Sequence, residues 1–200
     1  MKLVEDKKFK CGNFLVFNDR PEFESFYEVK QVHGNKIVST KEISNSEGLL
    51  EADGIIHTFD SSKVSYLSIK TADCLPILLE GINGVAMIHA GWRGLHNQIL
   101  FNPELKKIDI QRAYIGPHIK LLNYEVSQDF TENFPNSDAF TFKADKVYFD
   151  LEKVAVNQIK ELDSSITVEI SQLCTHNQAN LHSYRQNKTD KRNWNLFQFS

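Results

Sequence analysis

Cysteine is scarce in this chain, and long apolar runs and one-signed charge tracts are missing; each shortage excludes something. Three cysteines, Cys11, Cys74 and Cys174, cannot all pair and are too few for a disulfide-stapled secreted domain. Their roles reduce to ligation, nucleophilic attack or packing. No stretch approaches the ~18 apolar residues of a membrane span, and the first residues lack the basic, apolar and small-residue succession of a signal peptide. The expectation is a cytoplasmic protein with no membrane partner. Lysine and arginine are scattered and the formal net charge is -3, so no basic stripe exists to neutralise nucleic-acid phosphates. Nucleic acid is not an expected partner. The chain also has no GxGxxG, P-loop, HExxH, CxxC or GxSxG, which removes a nucleotide cofactor on a glycine-rich loop and the common zinc-protease and serine-hydrolase templates.

What is present suits one ordinary globular domain spanning residues 1–200. A hydrophobic content of 41% over 200 residues is enough to bury roughly 70% of the unfolded surface, so no metal or disulfide is needed merely to hold the fold. No repeat or Pro/Gly-rich linker divides it. Phe14–Phe17 reads as a strand closed by a turn at 18–21, and Val64–Ile69 and Leu75–Leu79 read as further strands. A turn through Glu80–Gly84 leads into Val85–Ile88, a hairpin whose far end delivers His89. A short helix is expected at Leu95–Leu100, a strand at Arg112–Gly116 and a half-buried strand at Ile166–Leu173. The clearest helix is Leu151–Leu162, with Asp150 as N-cap and Leu151, Val154, Ala155, Ile159 and Leu162 on one face. Strands with interspersed helices and no regular βαβ rhythm indicate an α+β fold.

The chemistry concentrates in Thr71-Ala-Asp-Cys-Leu-Pro76 and His89-Ala-Gly-Trp-Arg-Gly94. An acid, a thiol, an imidazole and a guanidinium near strand ends cost desolvation unless they are paired, ligated or catalytic. Catalytic zinc takes three protein ligands and keeps an open position, and His33, Cys74 and His89 are the set the sequence offers. The alternative is a buried thiol beside histidines hydrogen-bonded at turns. Asp73 is either a general acid/base or a turn brace; Arg93 either holds a phosphate or carboxylate or forms a surface ion pair; Trp92 either stacks on a planar ring or packs in the core. His57, His96 and His118 carry less weight. The segment after His176, through His182 to Ser183-Tyr-Arg185, either closes over a ligand or is a solvated loop.

The motifs Gln31-Val-His33-Gly, Ala52-Asp-Gly-Ile-Ile56, Thr71–Pro76, Ile88–Gly94, Tyr114–Pro117, Tyr124-Glu-Val126, Cys174-Thr175 and Ser183–Arg185 occur in that order. In this the chain resembles the YfiH family, formerly described as multicopper polyphenol oxidases with a laccase domain and now regarded as purine nucleoside phosphorylases with adenosine deaminase activity. The similarity runs from about Gln31 to Arg185. It implies mixed sheets in an α/β/β/α layered arrangement, a zinc site at His33, Cys74 and His89, and catalytic roles for Asp73, Cys74 and Arg93. The implied partners are a purine nucleoside (adenosine, inosine, guanosine or methylthioadenosine) and phosphate, in a monomer or homodimer. Copper fits less well, since a multicopper centre needs many clustered histidines and the seven here are scattered. A metal-free cysteine hydrolase using Cys74 and His89, and a non-catalytic nucleoside-binding protein, are the competing readings. Three departures accompany the resemblance. No Arg-Gly-Gly or Asn-Arg segment precedes Gln31, the helix after Gly94 is short, and the usual tandem arginine reads Arg185-Gln186.

Overall fold

A computed structural model describes residues 1–23, 25–61 and 63–200. Its elements run β1 (Leu3–Lys8), β2 (Gly12–Phe17), β3 (Ile37–Ser39), α1 (Thr40–Ser44), β4 (Gly54–Thr58), β5 (Tyr66–Thr71), β6 (Leu75–Gly81), β7 (Gly84–Ala90), α2 (Trp92–His96), β8 (Ile110–Ile115), β9 (Glu125–Val126), β10 (Phe140–Lys143), β11 (Lys146–Phe149), α3 (Leu151–Leu162), β12 (Thr167–Ile170), α4 (Tyr184–Asn187) and β13 (Asn193–Phe199). Six strands form a mixed sheet ordered β12-β8-β6-β7-β4-β3, four form an antiparallel sheet ordered β1-β2-β13-β5, and three form a small sheet ordered β10-β11-β9. This is the α+β class that the irregular order of elements indicates.

Side-chain alternation along β6 and β7 builds the layers. Ile77, Leu79, Ala86 and Ile88 face Leu95, Ile99, Leu105, Leu151, Val154 and Ile159, so α2, α3 and the turns between them cover one face of the six-stranded sheet. The opposite residues, Leu78, Val85 and Met87, join Ile55 and Tyr114 against Phe14, Val16, Leu67, Ile69 and Phe197 of the four-stranded sheet. The outer face of that second sheet buries Leu15, Phe17, Trp194 and Leu196 beneath Phe23, Phe26 and Tyr66. Each fully buried aliphatic or aromatic side chain contributes about 1.5–3 kcal/mol, which makes the face between the sheets the main anchor for the strand ends that carry the site.

Three expectations need adjustment. The short helix begins earlier, at Trp92 instead of Leu95, and ends at His96, because Gln98 adopts a left-handed φ of 59° and the chain re-enters as a 3-10 turn at Ile99–Phe101. That break lets both Leu95 and Ile99–Leu100 reach the core. The strand foreseen to Leu173 stops at Ile170: the Ser171 hydroxyl donates to Glu5 (2.6 Å) and accepts from the Leu173 amide (3.3 Å), turning the chain away. Leu162 is 37% exposed at the end of α3, whereas Leu151, Val154, Ala155 and Ile159 are buried. Asp150 caps α3 by accepting from the Lys153 amide at 3.0 Å. The charged strand β1 lies on the sheet edge, where charge discourages pairing with another chain.

Candidate metal centre and cavity

Three elements deliver His33, Cys74 and His89 to one point. His89 lies on β7 opposite Pro76 of β6, on the face that Val85 and Met87 turn toward the sheet-sheet core. Cys74 immediately precedes β6, after Asp73, whose φ of 93° is strained for a residue with a β-carbon. His33 comes from the long connection between β2 and β3, itself left-handed at φ 60°. One ligand atom from each of the three lies within 4.8 Å of the others, and the two imidazole rings meet edge-on with centroids 4.8 Å apart. His89 is buried, Cys74 half-buried and His33 exposed, so the group opens to solvent on the His33 side. Two imidazoles and a thiol suit a divalent transition metal and leave a coordination position free.

Asp53, fully buried just before β4, stands behind the group. Its Oδ1 accepts from His89 Nδ1 (2.7 Å) and the His33 amide (2.9 Å), and its Oδ2 accepts from the amides of Gly34 (2.7 Å) and Val32 (3.2 Å). With Nδ1 engaged, Nε2 is the His89 nitrogen available to a ligand. Burial works against charge on Asp53, yet the His89 bond and the loop amides hold its carboxyl below the usual range. Burial likewise opposes ionisation of Cys74, but the neighbouring His89 and His33 bring the thiol down to about 6. His89 is raised to about 9: burial disfavours its charge, and the Cys74 thiolate and Asp53 outweigh burial. Each of the two groups thus favours the charged form of the other.

The group lies in the wall of a cavity of about 680 Å³, in the size range of small-molecule sites. Asp73 is buried on its wall, with Oδ1 accepting from the Thr175 hydroxyl (2.7 Å) and Oδ2 from the Arg185 amide (2.7 Å). It therefore acts as a brace that fastens the Thr175 and Arg185 segments beside Cys74, and each oxygen keeps further lone-pair capacity. Arg93 is exposed on the cavity, its guanidinium 4.7 Å from the Trp92 ring centre and without an ion-pair partner among the described residues. Trp92 is half-buried, lining the cavity and packing edge-on against Phe130. Tyr184 and Arg185 also line the cavity, so the C-terminal segment faces the site. The Arg185 guanidinium stacks 4.6 Å from the Tyr124 ring and donates to the Glu125 carbonyl. Tyr124 also lines the cavity, and burial pushes its hydroxyl up to about 12.

The other histidines are engaged elsewhere. His57 Nδ1 is shared by Thr40 and Ser61, His96 meets the Asn133 carbonyl, and His118 bridges the Gly116 carbonyl and Glu152. His176 meets Asn177 and His182 meets the Asn18 carbonyl. Cys11 hydrogen-bonds to buried Glu80, and burial together with that carboxylate pushes its thiol up to about 12. Buried Cys174 accepts from the Lys120 amide and the Asn123 side chain. Sequence reasoning assigned no role to Asp53, Tyr124, Lys70 or Arg192, although all but Asp53 line the cavity. The only local signal for Asp53 is a carboxylate flanked by Ala52 and Gly54 at the start of an apolar run.

Residues 12–197 match the family described as multi-copper polyphenol oxidoreductase laccase. Among curated proteins, a purine nucleoside phosphorylase of Aquifex aeolicus is 32% identical over 191 residues, covering 92% of this chain and 88% of that one. The purine nucleoside phosphorylase YfiH of Shigella flexneri is 28% identical over 180 residues, covering 82% and 70%. Among solved structures, a Neisseria meningitidis protein of the DUF152 family superposes with a TM-score of 0.75 at 27% identity, covering 88% of this chain and 75% of that one. Bacillus licheniformis YfiH shares the fold at a TM-score of 0.71 and 22% identity, with 88% and 74% covered. The match extends on both sides of the Gln31–Arg185 core that carries the motifs, and the chain belongs to the YfiH family.

Proposed function

We propose that the protein is a zinc-dependent purine nucleoside phosphorylase, acting on adenosine, inosine, guanosine and methylthioadenosine, that also deaminates adenosine. The observation that carries this reading is the convergence of His33, Cys74 and His89 on the wall of a cavity that also exposes the unpaired Arg93. The names of the relatives support phosphorolysis. Zinc held by the three ligands would supply Lewis acidity and bring the ionisation of a water toward neutral pH. In phosphorolysis a phosphate oxygen forms a bond to C1′ as the bond from C1′ to the purine nitrogen breaks and the purine takes up a proton. Arg93, backed by the Trp92 ring, offers in-plane donors that orient the phosphate. Proton transfer is assigned to Asp73, which lies on the cavity wall beside Cys74, and Tyr124 lines the same space.

Copper is the poorer occupant, because five of the seven histidines are held away from the group by other partners. A second reading has an observation of its own. The Cys74, His89 and Asp53 series resembles a nucleophile, base and orienting carboxylate, as in a metal-free cysteine hydrolase. It leaves the proximity of His33 without a role. Chromatography of the products from adenosine, inosine and methylthioadenosine, with and without phosphate, tests both readings alongside metal analysis of the fresh protein. Free purine base formed only with phosphate, inosine from adenosine, and loss of both with Cys74→Ala and with chelation are expected. Metal near zero, with activity that survives chelation, would sink the zinc reading.

A further inference from the structure

We propose that Asp53 is the positioning residue of the metal centre: one carboxylate orients His89 and the His33 turn together, and zinc affinity depends on it. This inference rests on the zinc reading above. Two ligands come from parts of the chain that do not pair directly with each other, β7 and the connection leading to β3, with β4 between β7 and β3. A left-handed, solvent-exposed residue such as His33 is not fixed by packing. Gln31, bonded to the Lys70 backbone, and Asn35, bonded to Asn97 and Asn102, anchor the flanks of the turn, and at its centre the amides of Val32, His33 and Gly34 all donate to Asp53. The same carboxylate takes the Nδ1 hydrogen of His89, and its backbone carbonyl accepts the His89 amide at 2.7 Å. Asp53 thus sets both the rotation of the His89 ring and which of its nitrogens is free, while holding His33 at ligating distance. Carboxylates behind metal-binding histidines commonly act in this way.

Asparagine at this position is close in shape but cannot reproduce the pattern. With its oxygen toward His89 and the His33 amide, its NH2 faces the amide donors of Val32 and Gly34 and expels the turn. Flipped, the NH2 faces His89 Nδ1, which must then accept, so the ring hydrogen moves to Nε2 and blocks the ligating nitrogen. Either orientation disables one histidine.

The test uses the full chain and zinc alone, with affinity measured by chelator competition for the unmodified protein, Asp53→Asn and Cys74→Ser. The expected result is a Kd weaker by about 10–100-fold in Asp53→Asn, together with altered cobalt(II) absorption when cobalt replaces zinc. Affinity within twofold of the unmodified protein and an unchanged cobalt spectrum overturn the proposal, even if the variant is less stable. Should Asp53→Asn fail to fold, nitrogen-15 spectra of histidine-labelled unmodified protein decide. His89 must carry hydrogen on Nδ1 and metal on Nε2, and the reverse arrangement overturns the proposal. Failure of the zinc reading looks different: the unmodified protein then binds no zinc, or Cys74→Ser binds it equally well.

Discussion

Gly91 stands so close to Cys74 that a β-carbon at position 91 would lie 2.9 Å from Sγ and 3.5 Å from Cδ2 of His33. The backbone there, at φ -82° and ψ 177°, is open to any residue, so glycine is required for space and not for conformation. Gly91→Ala must push the Cys74 thiol away from the shared point, while 3.5 Å to the His33 ring is ordinary contact. Overpacking of this kind costs about 1–3 kcal/mol, and the displaced ligand should weaken zinc binding and turnover at least about tenfold, since ~1 Å of misplacement costs on the order of 100-fold in catalysis. Gly48→Ala, where nothing lies within 4 Å, is the control expected to match the unmodified protein in metal content and melting temperature.

Asp73 pairs strain with fastening. Its carbonyl accepts the Ile119 amide at 3.0 Å while its side chain holds Thr175 and the Arg185 amide. Asp73→Ala removes both acceptors and releases the Thr175 and Arg185 segments, at about 1–3 kcal/mol for the buried donors left unsatisfied. Steady-state kinetics should show phosphate KM rising severalfold if the Arg185 segment helps to enclose the anion. An unchanged phosphate KM in a folded variant would remove the segment from the phosphate site.

The hairpin, its delivery of His89 and the capped helix α3 were legible in the sequence, because periodicity and turn residues report local structure, whereas the His33, Cys74, His89 set rested on residue types and on the family resemblance. The role of Asp53 was not legible there, and for Asp73 the sequence offered a turn brace without its partners. Each acts on partners distant in the chain, Asp53 on His89 and Asp73 on Thr175 and Arg185, and no local spacing encodes such contacts. β13 was overlooked although Asn193–Phe199 alternates, and it proves to be the strand between β2 and β5 that completes the second sheet. The small β9, β10 and β11 sheet escaped for the opposite reason: strands of two to four residues carry too little pattern to read.

The cap of α3 gives a prediction confined to stability. Asp150→Ala removes the acceptor for the Lys153 amide and should cost about 1 kcal/mol. For a chain of this length that lowers the melting temperature by about 2–4 °C, readable by calorimetry. A change below about 0.5 °C would mean that water replaces the cap at no cost.

Glu152 ties stability to pH. The His118 hydrogen bond at 3.1 Å is the main influence and burial opposes it, but together with the Lys120 ammonium at 2.7 Å it brings the carboxyl down to about 2. Lys120 also reaches the Ser171 carbonyl, so the cluster ties the start of α3 to the loop after β12. A carboxyl with a lower folded than unfolded pKa binds fewer protons when folded. Its stabilisation is complete above the ordinary value of 4.5 and fades as pH falls from there toward about 2. Urea unfolding of the unmodified protein and of Glu152→Gln, from about pH 7 down to about pH 2, reads this directly. The variant should be less stable at neutral pH, and the gap should close as acid protonates Glu152 in the unmodified chain. A gap that persists at the acid end would show that the variant disturbs packing, and that the charged hydrogen bonds of Glu152 are not what holds this end of α3.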